Sequence, residues 1–347
     1  MMTTTNDNAF RMYSLVFSIS ILALLMSFIS MPDLRLSAIS TKFRWRSDLI
    51  SIYTTLRLKL GDRVYNNAVI GEDGWIFYTG EQSISDYQNV DPLKKRMLIS
   101  IQKRLDKLSA DLESRGITLL VVIPPNKSTI YSQYMPEGIP IMGEKSRLDQ
   151  LIEFMKLNGQ TPIIDLRQTL LDISQTQDIY YKTDSHWNDI GAYYSYVEIM
   201  DALSSDYTIL LPRPISDFEY TYMSNITRDL PKLMGLAAYE EENWRLVPKF
   251  RFQLQETRTL LPDGINYIRT ITNVDRQLPE LLVFGDSFYV SLAPFIEPHF
   301  SRVKTIPFTT VDEIWSLDWI QRENPDIVII EIVERYLKLS FPTLLEN

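Results

Sequence analysis

Cysteine is absent from the 347-residue sequence, and histidine occurs only twice, as His186 and His299. Without cysteine the chain has no disulfide, thiol nucleophile or zinc–cysteine site. Two histidines are too few for a multi-histidine metal site, and any imidazole base must be one of them. We therefore expect neither a metal nor another cofactor.

Clustered basic residues are also missing, and the formal net charge is -9. A nucleic-acid footprint needs Lys and Arg gathered along one face, so we expect no nucleic-acid partner. The sequence shows no internal repeat and no glycine-rich phosphate loop. With 45% hydrophobic residues it can bury a full core, as one large domain or two.

An uncharged, mostly apolar stretch of nineteen residues occupies positions 13–31, YSLVFSISILALLMSFISM. It follows a short tail, 1–12, precedes a mixed linker, 32–60, and has about the length of a membrane-spanning helix. The choice is between an uncleaved anchor and a cleaved signal peptide. We favour the anchor, because the run is longer than a usual signal core and no cleavage pattern follows at once.

From residue 92 the hydrophobic pattern alternates between helix and strand. Helices are predicted over 92–115, 144–157, 188–199, 288–295 and 311–322, and strands over 117–123, 162–166, 281–284, 303–308 and 326–333. Continuously apolar strands are typical of parallel strands covered on both faces. The sequence therefore predicts an α/β fold, a mostly parallel sheet with helices on both sides. Residues 205–278 break the alternation and predict a β-rich insertion, with a hairpin turn at Pro262-Asp263-Gly264.

Polar residues follow the predicted strand 281–284 at its C-terminal end. Gly285 permits a sharp turn, Asp286 and Ser287 come next, and a helix is expected from Phe288. Ligands of open α/β sheets bind at the carboxyl ends of the strands, and a helix N-terminus can stabilise an oxyanion. Ser287 is therefore a candidate nucleophile. Asp-Ser after glycine is also an ordinary helix cap, and the motif alone favours that simpler interpretation.

One of the two histidines lies beside an aspartate. Asp184 and His186 are two residues apart, so in extended backbone their side chains point the same way. The carboxylate can then orient one ring nitrogen while the other faces a hydroxyl. A structural, hydrogen-bonded role for His186 is the alternative that the sequence leaves open. We expect His299 to be structural or solvated.

Further polar candidates follow two other predicted strands. Asn126 and Lys127 come after strand 117–123, where they could contact a ligand, although local loop hydrogen bonding is the commoner use of such an asparagine. Arg335 and Tyr336 follow the last strand. These four residues are the candidates for oxyanion or substrate contacts.

Five separated stretches, in this order, resemble the catalytic domain of the alginate O-acetyltransferases, extracytoplasmic members of the SGNH hydrolase superfamily. They are GEDGWIF at 71–77, PPNK at 124–127, TDSHW at 183–187, GDSF at 285–288 and the closing segment 325–337. The resemblance spans roughly residues 65–340, and its most specific part is Asp-x-His-Trp followed later by Gly-Asp-Ser. Most SGNH hydrolases carry the serine first, whereas the alginate branch shares the order Asp, His, Ser.

This resemblance implies an SGNH-like three-layer α/β/α sandwich over residues 61–347, with Ser287 as nucleophile, His186 as base and Asp184 as its orienter. It implies an O-acetyltransferase that acetylates hydroxyls of an extracytoplasmic polysaccharide through an acetyl-serine intermediate. The alternatives are a carbohydrate acetylesterase and a non-catalytic, membrane-tethered subunit that binds polysaccharide or assists assembly.

The resemblance also implies partners and a location. Acetyl-CoA is cytoplasmic and the chain has one span at most, so a multi-spanning membrane-bound O-acyltransferase is expected to supply the acetyl groups. We expect a single-pass anchor in the cytoplasmic membrane with the domain in the periplasm, or secretion after cleavage. Basic residues after position 31 would favour the opposite orientation, so the location depends on the resemblance.

Overall fold

The computed structural model of the protein describes residues 13, 16–20, 46–236, 239–261, 264–275, 277–307, 318–338 and 341. No helix within these ranges is both long and apolar enough to cross a membrane. Most of the predicted anchor, two residues of the predicted turn at 262–264 and much of the predicted helix 311–322 lie outside the described residues.

Twelve strands are formed by the described residues. They are β1 (Val64–Tyr65), β2 (Ala68–Ile70), β3 (Ile76–Tyr78), β4 (Thr118–Ile123), β5 (Ile163–Asp165), β6 (Phe218–Thr227), β7 (Glu240–Pro248), β8 (Leu254–Leu260), β9 (Tyr267–Asn273), β10 (Glu280–Gly285), β11 (Arg302–Pro307) and β12 (Ile327–Glu331). Seven of them make one sheet in the order β5-β4-β12-β10-β11-β9-β8, in which the first five are mutually parallel. β9 and β8 continue the sheet antiparallel beyond β11.

The helices follow the strands in near alternation. They are α1 (Arg46–Lys59), α2 (Ser83–Tyr87), α3 (Lys95–Glu113), α4 (Lys127–Ile130), α5 (Arg147–Asn158), α6 (Arg167–Ser174), α7 (Asp189–Ser204), α8 (Asp229–Met234), α9 (Tyr289–Ile296) and α10 (Asp318–Glu323). Apolar residues of α3 recur at helical spacing and are buried, as the sequence pattern predicts.

Alternate residues of the central strands face two different cores. On β4, Leu120 and Val122 pack in a cluster with α7 and α9, whereas Leu119 and Val121 pack in a second cluster with α3 and α5. Side chains of a strand point alternately to opposite faces, so helices cover the sheet on both sides. The predicted three-layer α/β/α sandwich with a mostly parallel sheet is confirmed.

The structure gives more detail on two predicted segments. Residues 46–59 of the predicted linker form α1, whose Thr54 hydroxyl donates to the carbonyl of Met234 over 2.9 Å. The predicted β-rich insertion divides into two parts: β6 and β7 form a separate hairpin, whereas β8 and β9 extend the main sheet. β1, β2 and β3 make a further small antiparallel sheet.

Candidate active site

Ser287 is exposed on the turn between β10 and α9, at the carboxyl edge of the sheet. A Cβ on Gly285 would lie 3.1 Å from Glu331 Oε2 and 3.0 Å from the Tyr289 Cβ, so a larger residue there would crowd both neighbours. Asp286 fixes the turn, because its carboxylate accepts from the backbone N–H of Phe288 and of Val333, each over 2.8 Å. The serine therefore stands on a rigid support.

The histidine comes from the loop that leads into α7. Asn188 caps this helix by accepting from the backbone N–H of Ile190 and Gly191. The next residue back, Trp187, donates its indole N–H to the carbonyl of Phe288 over 3.1 Å. This bond joins the histidine loop directly to the serine turn, although 101 residues separate them.

Ser287, His186 and Asp184 form a continuous hydrogen-bonded chain. The Ser287 hydroxyl lies 2.7 Å from His186 Nε2, and His186 Nδ1 lies 2.6 Å from Asp184 Oδ1. Burial alone would raise the pKa of Asp184, but the hydrogen bonds from His186 lower it to about 2. Asp184 is therefore ionised at neutral pH and can hold the imidazole with its Nε2 toward the serine.

A second carboxylate, Asp229 at the start of α8, lies near the same ring. Its Oδ2 is 3.7 Å from His186 Nδ1 and accepts from the Ser185 hydroxyl, while its Oδ1 accepts from the Ser185 backbone N–H over 2.9 Å. Burial, and then the charge of Asp184, raise the pKa of Asp229. One ligand atom each of Asp184, His186 and Asp229 lies within 4.8 Å of the others, a spacing that could also hold a cation. The hydrogen bonds account for this arrangement.

Lys127 and Glu241 hold the backbone of the loop before Asp184. The Lys127 ammonium donates to the carbonyls of Tyr181 and Lys182, each over 3.2 Å, and to that of Asp184 over 2.6 Å. Glu241 accepts from the backbone N–H groups of Lys182 (2.8 Å) and Thr183 (2.9 Å). The positive Lys127 thus binds carbonyl groups, and the negative Glu241 binds N–H groups, of the same short segment.

The other sequence candidates have different surroundings. The Asn126 amide donates to Asp86 over 3.0 Å and its backbone N–H to Glu334 over 2.8 Å. Asn126 and Lys127 are buried and line a small cavity that does not include Ser287, and their role as oxyanion or substrate contacts stays a prediction. Their side chains are occupied by buried hydrogen bonds.

Arg335 and Tyr336 both contact Glu81, over 3.2 Å and 2.9 Å. Arg335 is buried against the ring of Phe288, with 5.5 Å from its guanidinium carbon to the ring centroid, and supports the serine turn from behind. Tyr336 lines the cavity that contains Ser287 and remains a candidate substrate contact.

A cavity of about 440 Å³ opens beside Ser287, within the usual volume range of small-molecule sites. Its walls come from β9, α9, β11 and the turn of Tyr336. Arg258 and Arg269 reach it from the hairpin of β8 and β9, but both are paired with Glu256. An acyl group bound to Ser287 would therefore have a partly apolar wall with polar groups at its rim.

Several residues of this site carry no local sequence signal. Asp229 and Glu241 lie in the predicted insertion and reach the histidine loop only through the tertiary fold. Glu331 accepts from the backbone N–H of Asp286 over 2.9 Å, and its place at the end of the buried strand β12 was the only available indication.

The fold and the geometry together define an SGNH-type α/β/α domain with a serine, a histidine and an aspartate in hydrogen-bonding order. The chain belongs to the family described as "SGNH hydrolase-like domain, acetyltransferase AlgX", whose model matches residues 68–288. Family membership confirms the resemblance that the sequence motifs predict.

Individual relatives are distant. The chain is 22% identical over 293 residues to the "Probable alginate O-acetylase AlgJ" of Pseudomonas aeruginosa, covering 78% of this chain and 71% of that protein. It resembles the structure of PatB1 from Bacillus cereus, with a TM-score of 0.60 and 18% identity over 80% of this chain and 99% of the other. A DHHW family protein from Eubacterium siraeum gives a TM-score of 0.58 and 15% identity, covering 82% of this chain and 96% of the other. These two structural matches support the fold.

Proposed function

We propose that the protein is a serine-dependent O-acetyltransferase whose acetyl group passes through Ser287. The observation that carries the proposal is the chain of hydrogen bonds, 2.7 Å from Ser287 to His186 and 2.6 Å from His186 to Asp184. A serine hydroxyl is a weak nucleophile at neutral pH, and an imidazole held by a carboxylate is a recurrent means of activating it. Membership of an acetyltransferase family supports acetyl as the transferred group.

In the first half-reaction Ser287 Oγ attacks the carbonyl carbon of an acetyl donor while His186 Nε2 takes the hydroxyl proton. The tetrahedral intermediate collapses to acetyl-serine, and the imidazolium returns that proton to the departing group. The backbone N–H of Ser287 donates to no acceptor among the described residues, so it is available to the oxyanion. Asp184 holds the imidazolium throughout.

In the second half-reaction an acceptor hydroxyl attacks the acetyl-serine and gives its proton to His186 Nε2. Collapse releases the acetylated acceptor, and the imidazolium protonates Ser287 Oγ. Water in the place of the acceptor would give acetate, which is the esterase alternative. The proposed acceptor is a polysaccharide outside the cytoplasm, in keeping with the relative named as a probable alginate O-acetylase.

We also propose that residues 13–31 tether the protein to the cytoplasmic membrane with its domain in the periplasm, cleavage and secretion being the alternative. A periplasmic enzyme has no direct access to cytoplasmic acetyl-CoA. A multi-spanning membrane-bound O-acyltransferase is therefore the proposed source of acetyl groups. Deleting that partner should abolish modification in cells while the purified protein keeps its activity on a small ester.

The test uses the full-length protein and a chromogenic acetyl ester. Wild type should release the chromophore and yield an acetylated peptide containing Ser287, and Ser287→Ala should lose both signals. Adding an oligosaccharide acceptor then separates transfer, which yields acetylated sugar at the expense of acetate, from hydrolysis. If no acetyl-enzyme forms and Ser287→Ala still supports polysaccharide modification in cells, the non-catalytic subunit should replace this proposal.

A further inference from the structure

A second cavity, of about 380 Å³, lies between the histidine loop and the hairpin of β6 and β7. Its volume is within the range of small-molecule sites, and neither Ser287 nor His186 lines it. The acetyl-transfer steps described above make no use of it.

Two aromatic side chains form the outer wall of this cavity. Trp244 is 44% exposed and Tyr220 is 53% exposed. Trp244 is held in place, because its indole N–H donates to Glu242 over 2.8 Å and its ring meets that of Tyr222 edge-on at 5.1 Å. Exposed aromatic rings, of which Trp244 is held in place, beside hydrogen-bonding groups suit a ligand that has both an apolar face and hydroxyl groups, as a pyranose has.

The charge of the cavity restricts which sugar would bind. Among the described residues, four carboxylates line it, those of Asp178, Asp189, Glu241 and Glu242, and Lys182 is the one basic residue in the lining. Arg245 neutralises Asp189 from behind, over 2.7 Å. The remaining excess of negative charge repels a carboxylate and favours hydroxyl or ammonium groups.

Resting on the proposed function, we propose that this cavity is a subsite for an uncharged or amino-bearing sugar unit of the acceptor chain. Lys182 lines the cavity, and Glu241, which also lines it, accepts from the backbone N–H groups of Lys182 and of Thr183, the residue before Asp184. A sugar bound there therefore lies on the loop that presents His186 to Ser287. Uronate units are excluded from this subsite by its charge.

Binding of defined hexasaccharides to the full-length protein tests the assignment, measured by calorimetry and by tryptophan fluorescence. The probes are hexamers of glucose, glucosamine and mannuronate. The glucose or glucosamine hexamer should bind, and at least tenfold more tightly than the mannuronate hexamer. Trp244→Ala and Tyr220→Ala should each weaken that binding by about tenfold or more, as loss of a central aromatic contact does.

Two further variants sharpen the test. Met223→Ala removes another exposed apolar side chain of the same hairpin, 57% exposed and outside the cavity, and should leave affinity unchanged. The double variant Asp178→Asn, Glu242→Gln keeps the hydrogen-bonding shape but removes two charges, so it should narrow the discrimination against mannuronate.

Tighter binding of the mannuronate hexamer, absence of binding by every hexamer, or an unchanged affinity of Trp244→Ala would each overturn the subsite. These measurements need no acetyl transfer. A protein that binds glucosamine hexamer but forms no acetyl-enzyme would retain the subsite and lose the proposed function. A protein that forms the acetyl-enzyme but binds no hexamer would retain the proposed function and lose the subsite.

Discussion

The ammonium of Lys127 donates a hydrogen bond to the main-chain carbonyl of Asp184 over 2.6 Å, while the side chain of the same aspartate accepts from His186. Lys127 is buried, and burial lowers the pKa of its ammonium to about 8. A buried cation is costly unless its donors are satisfied, and here three backbone carbonyls satisfy them. Lys127 is thus a positioning residue for the proposed catalytic chain.

Lys127→Met should lower kcat for a chromogenic acetyl ester by about 10- to 100-fold with little change in KM, because orientation of His186 is lost rather than substrate binding. Wild-type activity should also fall as pH rises through about 8, since the ammonium loses its proton and one of its three donors there. The Lys127→Met variant should not show this loss of activity at alkaline pH. pH–rate profiles of both proteins provide the measurement.

Lys145→Met is the matched control, because Lys145 is an exposed lysine paired with Glu153. Its profile should match wild type. A Lys127→Met protein that is folded, retains kcat within twofold and shows the wild-type alkaline limb would contradict the positioning role.

The two carboxylates near His186 should contribute unequally. Asp184 lies 2.6 Å from Nδ1 and Asp229 lies 3.7 Å from it, so only the first makes a hydrogen bond. Asp184→Asn should reduce kcat by about 10⁴-fold, as loss of the orienting carboxylate does in serine-histidine-aspartate sites, and Asp229→Asn by no more than about tenfold. Steady-state ester hydrolysis measures both, and a larger loss from Asp229→Asn would reverse their roles.

The parts of the site that sequence could predict are those encoded by short spacing. Asp184 and His186 are two residues apart, and Ser287 follows a strand and a glycine, so each has a local pattern. Only Ser287 follows a parallel strand, whereas the loop of Asp184 and His186 lies between α6 and α7, so their meeting depends on the tertiary fold. The layered fold was predictable from the alternation of helix and strand patterns.

Contacts between distant segments carry no such pattern. Lys127 follows a strand just as a ligand-binding residue would, and only the packed structure reveals that its ammonium donates to the carbonyls of residues 181, 182 and 184. Asp229 and Glu241 belong to a stretch whose composition predicts strands and nothing about the histidine loop. The sheet extension by β8 and β9 likewise depends on pairing of β9 with β11, which local propensity does not specify.

His299 should influence stability and leave catalysis unchanged. It is buried, its Nε2 lies 2.8 Å from the Tyr196 hydroxyl, and burial, with the charge of Arg213, lowers its pKa from 6.5 to about 4. Below pH 6.5 the His299 imidazole is protonated in the unfolded chain but stays neutral in the folded chain. The free energy of unfolding therefore falls as pH decreases from 6.5 to 4, by at most about 3 kcal/mol.

His299→Gln should remove this loss of stability at acid pH and leave the rate of ester hydrolysis within twofold of wild type. Chemical denaturation of both proteins at pH 7.5 and 5 gives the difference, which isolates His299 from other titrating groups such as Glu297. An equal loss of stability in both proteins, or a large fall in activity of the variant, would show that the histidine has another role.

Glu331 supports the serine turn as a neutral acid. It is buried at the end of β12, and its Oε2 accepts from the backbone N–H of Asp286 over 2.9 Å, while its Oε1 has no partner among the described residues. Burial and the neighbouring charge of Asp286 raise the pKa of Glu331 well above its usual range. Burial raises the pKa of Asp286 as well, but its two backbone N–H donors stabilise the charged form, so the shared proton is favoured on Glu331.

Glu331→Gln reproduces the neutral shape and can still accept from Asp286, so its free energy of unfolding near pH 5 should stay within about 1 kcal/mol of wild type. Between the unfolded pKa of a glutamate and the raised folded value, the folded chain holds a proton that the unfolded chain has released, so wild type loses stability as pH rises from 5 to 8. The glutamine variant has no such proton to lose, so its free energy of unfolding should rise relative to that of wild type over this window.

Glu331→Leu leaves the Asp286 N–H unpaired and should cost about 1–3 kcal/mol of stability at every pH, with a parallel fall in ester hydrolysis because the Ser287 turn loosens. Urea denaturation at pH 5 and 8 measures all three proteins, and a glutamine variant that is as unstable as the leucine variant at both pH values would mean that Glu331 is needed as a carboxylate anion.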